Sequence, residues 1–237
     1  MSNEGVAAVE RALAVLDCFR IGSERLSLAQ ISEQVGLHKT TVFRLLNSLC
    51  RSGYVAKATD GSYTLGARVL YLARVYEKGF QLADVVMATL RTLSAKTGES
   101  AAYYVASGDD GNRLCLFRHQ PTEGLHSQVV AGSVMKPDES STGRVFQTWF
   151  SPRPRSPEPL PYFSCGARDP YTSSWCVPVL GGDDVFVGAL TVAGPSVRIQ
   201  QKDALHMKAL IMNAARELSS NLGASAELRD AVYGTPA

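Results

Sequence analysis

The stretch LHKTTVFRLLNSLCRSGYV, residues 37–55, combines cationic and hydroxyl side chains with a regular apolar pattern. Its apolar residues recur at i, i+3, i+4 and i+7, which predicts the buried face of a helix that begins near His38. That face comprises Val42, Leu45, Leu46 and Leu49. The opposite face carries no carboxylate and comprises Lys39, Thr40, Phe43, Arg44 and Asn47. Because hydroxyl, ammonium and guanidinium groups suit phosphates and base edges, this face predicts contact with a nucleic acid.

The charge of the chain is divided unevenly along its length. Residues 1–76 contain nine Lys/Arg and six Asp/Glu, a net charge of +3, and residues 77–237 contain fifteen and sixteen, a net charge of −1. No acid lies between Glu33 and Asp60, where the cations are Lys39, Arg44, Arg51 and Lys57. Such a block attracts a polyanion through counterion release. An ordinary solvated helical face is the competing interpretation.

Two further helices are predicted before this one. The first has an apolar face made of Val9, Ala12, Leu13, Leu16 and Phe19, and ends near Gly22. Ser27 and Gln30 have the spacing of a capping box at the start of the second. The second helix buries Leu28, Ile31 and Val35 and ends at Gly36, where a sharp turn favours glycine. Two short helices joined by such a turn indicate a helix-turn-helix.

A small hairpin and a linker helix are predicted next. YVAKATDGSYTLG alternates like paired strands around Asp60-Gly61, a strong hairpin signal. A hairpin directly after a helix-turn-helix indicates a winged helix, in which Lys57 contacts the flanking DNA backbone. Ala67 to Tyr76 is then predicted to form a helix with apolar surface.

The remainder of the chain, with its helices and strands, has the pattern of a second domain. Helices are predicted from Leu82 to Thr97-Gly98 and from about Gln201 to Leu222. Strands are predicted at AAYYVAS, RLCLFRH, LHSQVVAG, WCVPVL and VFVGALTVAG, and this order suggests an antiparallel sheet with helices on one side. The segment SPRPRSPEPLP, residues 151–161, contains five of the eleven prolines and predicts an irregular surface loop, either a cover over a cleft or a loop without a role.

Cysteine chemistry supplies the two alternative functions. Cys18, Cys50, Cys115, Cys165 and Cys176 are scattered and form no CxxC pair, which predicts reduced thiols and no zinc site. Cys176 could be an enzyme nucleophile only with a base in reach, and the spacing of His119, His126 and His206 provides none. We therefore expect no enzyme. A thiol redox sensor would require Cys165 and Arg168 to share an exposed site.

These residues resemble the IclR family of bacterial transcription regulators nearly from end to end. Six motifs follow in the family order: LAQISEQVGLHKTTVFRLLNSLCRSGYV, Tyr63-Thr-Leu-Gly66, Thr97-Gly98-Glu99, SSTGRVF, CVPVL and LTVAGPSVRI. The resemblance implies an α+β protein with a winged helix-turn-helix DNA-binding domain at 1–66 and a linker helix at 67–79. A GAF-like effector-binding domain, an antiparallel sheet flanked by helices, would occupy 80–237.

The resemblance also implies the partners and the site residues. The partners would be double-stranded DNA, a small organic or aromatic acid as effector, and further copies in a homodimer or dimer of dimers, with no cofactor and no metal. The implied DNA-binding residues are Ser27, Gln30, Lys39, Thr40, Thr41, Phe43, Arg44 and Lys57. The implied effector-binding residues are Thr142, Gly143, Asp169, Ser174, Cys176, Thr191 and Ala193.

The chain departs from the family pattern at a few positions. His38 replaces a frequent proline, Asp138 a frequent histidine and Ser174 a frequent cysteine, while Cys176 lies two residues later and so on the same strand face. The segment from Val145 to Gly166 is shorter than usual. No apolar run is long enough to span a bilayer and the start MSNEGVAAVERAL lacks the layout of a signal peptide, so a cytoplasmic protein without membrane contact is expected.

Overall fold

The computed structural model describes residues 5–20, 22–79, 82–108, 111–122, 129–151 and 156–235. The chain divides into two compact units, residues 1–80 and 81–237. Both helices and antiparallel strands are present in each unit, and the predicted α+β fold class is confirmed.

The described residues of the N-terminal unit form four helices and a small sheet. In chain order its elements are α1 (Ala7–Leu16), β1 (Arg25–Leu26), α2 (Leu28–Val35), α3 (Lys39–Arg51), β2 (Val55–Lys57), β3 (Tyr63–Leu65) and α4 (Ala67–Gly79). The predicted hairpin is β2–β3, and the sequence pattern missed β1, which pairs antiparallel with β3 and gives the order β1-β3-β2.

The ends of α2 follow the sequence closely. The Ser27 hydroxyl accepts a hydrogen bond from the Gln30 amide at 3.3 Å, and the Gln30 side chain accepts one from the Ser27 amide at 2.9 Å, which completes the capping box. Gly36 ends α2 with a φ of 65°, in the left-handed region where a glycine costs least. The turn that joins α2 to α3 is therefore encoded locally.

We expect Ser27→Ala to destabilise the N-terminal unit by about 1 kcal/mol, because α2 would lose the acceptor for its first-turn amide. Thermal or urea unfolding measures the change. Ser23→Ala, an exposed serine just before the same helix, is the matched control and should leave the free energy of unfolding unchanged. Equal stabilities for the two variants would contradict the capping role.

The core of the N-terminal unit corrects the prediction for α1. This helix ends at Leu16, so Phe19 is buried just beyond it, together with Val15 and Cys18. Val9 and Leu13, predicted on the buried face, are each 54% exposed. They lie on a side of α1 that lines an open groove, whereas the core is filled from α2, α3 and the small sheet by Leu26, Ile31, Val42, Leu46, Val55 and Tyr63.

The C-terminal unit is built on a six-stranded antiparallel sheet of order β6-β5-β4-β9-β8-β7. Its strands are β4 (Ser100–Ala106), β5 (Arg113–His119), β6 (Val134–Met135), β7 (Tyr162–Cys165), β8 (Thr172–Leu180) and β9 (Phe186–Pro195). Its helices are α5 (Leu82–Thr97), α6 (Ser141–Trp149), α7 (Ser196–Gln201), α8 (Ala204–Asn221) and α9 (Ala226–Tyr233).

Helices cover both faces of this sheet, so the expectation of helices on one side was wrong. α5 and α8 pack on one face, where Leu90 and Ile211 meet Tyr103 and Val192. α6 packs on the other face, where Val145 and Phe146 meet Tyr104 and Cys176. Both faces of the central strands are buried because their side chains alternate between the two cores.

Three local predictions also differ from the structure. The strand expected at 125–132 has no strand in its described part, 129–132, because a turn at Gly132 precedes β6. The helix expected from Gln201 begins at Ala204, where Asp203 caps it, and a further helix, α9, follows the cap at Ser225. Residues 156–161 of the proline-rich loop form neither helix nor strand, as expected, and residues 152–155 lie outside the described residues.

Candidate nucleic-acid interface and effector site

The outward face of α3 is the candidate nucleic-acid interface. Val42 and Leu46 are fully buried, and Lys39, Thr40, Phe43, Arg44 and Asn47 are exposed on the opposite side, while Thr41 is half-buried. Lys39 and Thr40 occupy the first turn, and Phe43 and Arg44 follow one turn later, so these side chains share one face. The first turn is where recognition helices usually contact base edges.

The N-terminal end of α3 also favours an anion. The first turn contains no acidic residue, and His38 at the N-cap makes no side-chain hydrogen bond to the helix. First-turn amides that no side chain caps and the positive end of the helix dipole are suited to a phosphate. α2 differs at this point, because Ser27 caps its first turn.

The flanking DNA-binding candidates are exposed around this helix. Ser27 and Gln30 are exposed. The side-chain oxygen of Gln30 accepts hydrogen bonds from the backbone amide and the hydroxyl of Ser27. Lys57 is exposed at the end of β2, with its Nζ 5.8 Å from the centre of the Tyr63 ring. The tip of the hairpin is held by Asp60, which accepts a hydrogen bond from Arg25 at 3.1 Å.

An apolar groove of about 620 Å³ lies between α1, α3 and α4, and we refer to it as the N-terminal groove. Its lining includes Val9 and Leu13 of α1, Leu45 and Leu49 of α3, and Leu72 of α4. Further apolar side chains are exposed just before α1 and on α4: Val6, Leu70, Tyr71 and Val75. The N-terminal unit therefore exposes many apolar side chains on and near this groove.

A cluster of hydroxyl groups lies where α6 meets β7, β8 and β9. The Ser174 hydroxyl is 2.7 Å from the Ser141 hydroxyl and 3.1 Å from the Ser164 hydroxyl. The Ser164 hydroxyl accepts a hydrogen bond from the Ser141 backbone amide at 2.9 Å. Thr142 and Thr191 are joined by a hydrogen bond of 3.2 Å. The structure thus brings together Thr142, Ser174 and Thr191 of the effector candidates; the sequence pattern missed Ser141 and Ser164.

Cys176 belongs to the same cluster and is fully buried. Its sulfur accepts a hydrogen bond from the Thr191 hydroxyl at 3.2 Å. Burial raises the pKa of the Cys176 thiol to about 11, so the thiol is neutral near pH 7. A neutral, buried thiol suits packing and weak hydrogen bonding, not nucleophilic attack.

The start of α6 is anchored by a buried ion pair. Arg113 is fully buried and donates to the Asp138 carboxylate at 2.7 Å, to the Lys136 carbonyl at 2.7 Å and to the Ser140 hydroxyl at 3.2 Å. Burial raises the pKa of Asp138, but hydrogen bonds from Ser140 and Arg113 outweigh it and leave that pKa below its ordinary value. Gly143 is required here, because a Cβ atom would lie 2.1 Å from the Asp138 carbonyl oxygen.

Two effector candidates lie at the border of the cluster. Ala193 is buried on β9, directly opposite Ser174 of β8. Asp169 is exposed in the turn between β7 and β8, where its carboxylate accepts hydrogen bonds from the Tyr171 amide and the Thr172 hydroxyl. The structure does not bring the Asp169 carboxylate to the hydroxyl groups.

The geometry required for a cysteine enzyme or a redox sensor is not found among the described residues. His119 is paired with Ala101, which faces the α5 side of the sheet, whereas Cys176 faces the α6 side. His206 is exposed on α8, and His126 lies outside the described residues. Cys165 is exposed, and hydrogen bonds with Ser173, Ser196 and Gln200 lower its pKa, but Arg168 donates to the Met135 sulfur instead. Cys165 and Arg168 therefore do not form a joint site.

Two general properties complete the description. Within the described ranges, no helix combines the length and apolar character needed to cross a membrane. In the same ranges, no group of three or more His, Cys, Asp or Glu side chains is arranged to hold a metal ion.

Comparison with known proteins gives one domain match and several relatives. Residues 8–58 match the IclR helix-turn-helix domain. The chain is 27% identical over 150 residues to the DNA-binding transcriptional repressor YiaJ of Escherichia coli. The aligned segment covers 62% of this chain and 52% of that protein. The chain spans about half the length of the first curated relatives it matches. These relatives are regulators, not enzymes.

Two solved structures are similar over nearly the whole chain. An IclR transcriptional regulator from Alicyclobacillus acidocaldarius has a TM-score of 0.79 at 21% identity, covering 93% of this chain and 100% of that one. An IclR homologue from Microbacterium hydrocarbonoxydans complexed with 4-hydroxybenzoate has a TM-score of 0.73 at 16% identity, covering 91% and 99%. At such identities the likeness shows the fold alone.

Proposed function

We propose that this chain is an IclR-type DNA-binding transcription regulator controlled by a small organic acid, because residues 8–58 match the IclR helix-turn-helix domain and both the curated relatives and the similar solved structures are transcription regulators. The observation that carries the DNA-binding half is the acid-free, exposed face of α3, with Lys39 and Arg44 directed to solvent. Lys39, Thr40, Thr41, Phe43 and Arg44 contact the major groove, and Ser27, Gln30 and Lys57 contact the flanking backbone.

The second element of the proposal is a homodimer formed through the N-terminal groove. One recognition helix reads only a half-site, and two copies are needed to place two helices in successive major grooves. A second copy of the apolar sides of α1 and α4 would cover the exposed Val9, Leu13 and Leu72. Burial of this surface is the driving force for association, at about 25 cal/mol per Å² of apolar area.

The third element is an effector site at the hydroxyl cluster under α6. Ser141, Ser164, Ser174, Thr142 and Thr191 offer a concentration of donors and acceptors that a small polar molecule can bind. The homologue from Microbacterium hydrocarbonoxydans carries 4-hydroxybenzoate, which supports an aromatic or other organic acid as the class of effector. An effector that binds one arrangement of the dimer more tightly than another shifts DNA occupancy by that difference in affinity.

The proposal also places the protein in the cytoplasm, where its DNA lies. A thiol redox sensor is not favoured, because Arg168 bonds Met135 and does not activate Cys165. A cysteine enzyme is not favoured either, because burial leaves the Cys176 thiol neutral.

We expect Arg44→Ala to weaken operator binding by about 10- to 100-fold, since a guanidinium on a base edge or phosphate contributes about 1–3 kcal/mol. The operator is first recovered by selecting genomic fragments that the protein retains, and affinities are then measured by gel shift. If Arg44 contacts a phosphate, the slope of log K against log salt decreases by about 1.

The matched control for this experiment is Arg91→Ala, an exposed arginine on α5. It removes the same charge from the chain outside the helix-turn-helix and should leave operator affinity unchanged. Circular dichroism verifies that both variants fold. Unchanged affinity of Arg44→Ala across a salt series would count against the proposed interface.

A further inference from the structure

Arg118 lies on the same sheet face as the hydroxyl cluster. The strand registers pair Arg118 of β5 with Ala102 of β4, Ala102 with Thr191 of β9, and Thr191 with Cys176 of β8. Residues paired directly across strands point to the same face, so these four form one continuous row. We call this row the Arg118 row. The sequence pattern did not single out Arg118, because only the register brings it to Thr191.

The guanidinium of Arg118 has no counter-charge among the described residues. The side chain is half-buried and makes a hydrogen bond with Cys115, but its Nε and Nη2 atoms are buried and make no hydrogen bond in that part of the chain. Its neighbours Tyr104 and Cys115 are neutral: burial raises the pKa of both, and the nearby Arg118 only partly offsets this. Arginine stays protonated in proteins, and leaving two buried guanidinium nitrogens without acceptors is costly. This arrangement is therefore suited to receiving an anion.

Two described carboxylates close to the ends of α6 and β8, those of Asp138 and Asp169, are already engaged. Asp138 pairs with Arg113 at 2.7 Å, and Asp169 bonds the turn between β7 and β8. A second cation, Arg168, comes from that turn and contacts Met135 on β6, at the opposite edge of the sheet from β7. Arg168 also lies near Tyr104 and Cys115. The turn therefore reaches over the α6 face and brings additional positive charge to it.

The spacing along the Arg118 row limits the size of the anion. Two inter-strand steps of about 4.8 Å separate the backbones at Arg118 and Thr191. Ala102, between them, is buried and contributes only a methyl group to this row. A carboxylate on Arg118 would leave a second polar group of the same molecule near Thr191 and Thr142, which are themselves joined at 3.2 Å.

We propose that Arg118 is the residue that binds the carboxylate of the effector, and that the effector is a small acid with a second polar group one aromatic ring or a short chain away. This inference rests on the proposed effector site. The carboxylate accepts hydrogen bonds from Nε and Nη2 of Arg118, the paired geometry that guanidinium groups favour. The hydroxyl groups of Thr142, Thr191 and Ser174 bind the other end.

Matched pairs of acids and amides test the proposal. Wild-type protein is titrated by calorimetry with benzoate, 4-hydroxybenzoate, succinate and adipate, each beside its neutral amide, and with inorganic phosphate as a simple anion. We expect at least one acid to bind and its amide not to bind. Arg118→Gln should weaken the binding of the best acid by at least about 10-fold. Arg118→Lys should weaken it by less, because lysine retains the positive charge. Arg168→Gln is the matched control and should have the smaller effect.

A second measurement separates ligand binding from a structural role. Without ligand, Arg118→Met should unfold at the same or a higher temperature than wild type, because the change removes a half-buried charge whose Nε and Nη2 atoms lack acceptors. A residue that held the fold would give a lower unfolding temperature. Gel shifts without ligand should show unchanged DNA binding by Arg118→Gln, so a failure of DNA binding in the wild type would contradict the proposed function and not this inference.

The proposal is overturned by any of three results. One is a panel in which no carboxylate binds the wild type. Another is a best ligand that binds Arg118→Gln as tightly as wild type, and the third is a preference for the amide or for phosphate over every acid.

Discussion

Replacing Leu13 by aspartate should convert the proposed homodimer to a monomer and weaken operator binding by at least about 100-fold. Two linked recognition helices gain about 10²- to 10⁴-fold over one through effective concentration, and a monomer loses this gain. Leu13 is 54% exposed in the protomer, so the substitution leaves the N-terminal core intact. In a dimer that covers the N-terminal groove, the same carboxylate would be buried without a partner.

Light scattering after size exclusion measures the assembly, and gel shift measures the affinity. Leu205→Asp is the matched control, because Leu205 is 77% exposed on α8 and does not line the N-terminal groove. It should leave both dimerisation and operator binding unchanged. A Leu13→Asp protein that stays dimeric, with wild-type affinity for the operator, would remove the groove from the proposed interface.

Arg113→Met should destabilise the C-terminal unit by about 3 kcal/mol, since it leaves Asp138 and Ser140 without their buried cationic donor. The value is at the lower end for a broken buried pair because 25% of the Asp138 side chain remains exposed to water. Methionine fills most of the volume of the arginine stem, which limits the contribution of a cavity. Chemical unfolding followed by the fluorescence of Trp149 and Trp175, both in this unit, measures the loss.

The same variant should change how stability depends on pH. The pKa of Asp138 in the folded protein lies below its ordinary value. The pair therefore stabilises the wild type above the unfolded pKa of about 3.9, and this contribution is lost as the pH falls through the folded pKa. The difference in stability between wild type and Arg113→Met should narrow below about pH 4.

Arg118→Met is the control for Arg113→Met, because the two arginines lie on the same strand but differ in their hydrogen bonding. Arg113 has three acceptors, and Arg118 has none for two of its nitrogens in the described part of the chain. The first substitution should destabilise the unit and the second should not. Similar losses in both variants would mean that Arg118, too, serves the fold.

Several parts of the fold were predictable because their signals are local. A helix places residues i, i+3 and i+4 on one side, so the spacing of Val42 and Leu46 identified the buried side of α3 and, by exclusion, the exposed side with Lys39 and Arg44. The capping box at Ser27 and the left-handed Gly36 likewise depend only on near neighbours. Strands β4, β5, β8 and β9 were found from alternation and turn residues.

The first helix was misjudged because periodicity shows that a helix has an apolar side and does not show what covers it. Val9 and Leu13 form a regular apolar stripe, yet they line the N-terminal groove, and the core takes Val15 and Cys18 instead. The helix predicted from about Gln201 to Leu222 corresponds to α8, whereas α9, which begins after the cap at Ser225, was not predicted.

By itself, the sequence determined the helix-turn-helix and its cationic outer side, since these depend on contacts within a few residues. Only the tertiary structure decided which distant residues meet: the register of β5, β4, β9 and β8 aligns Arg118 with Thr191 and Cys176, and the second sheet face receives α6. The physical reason is that strand pairing joins segments far apart in the chain, and a shift of one residue in register would turn each of these side chains to the other face.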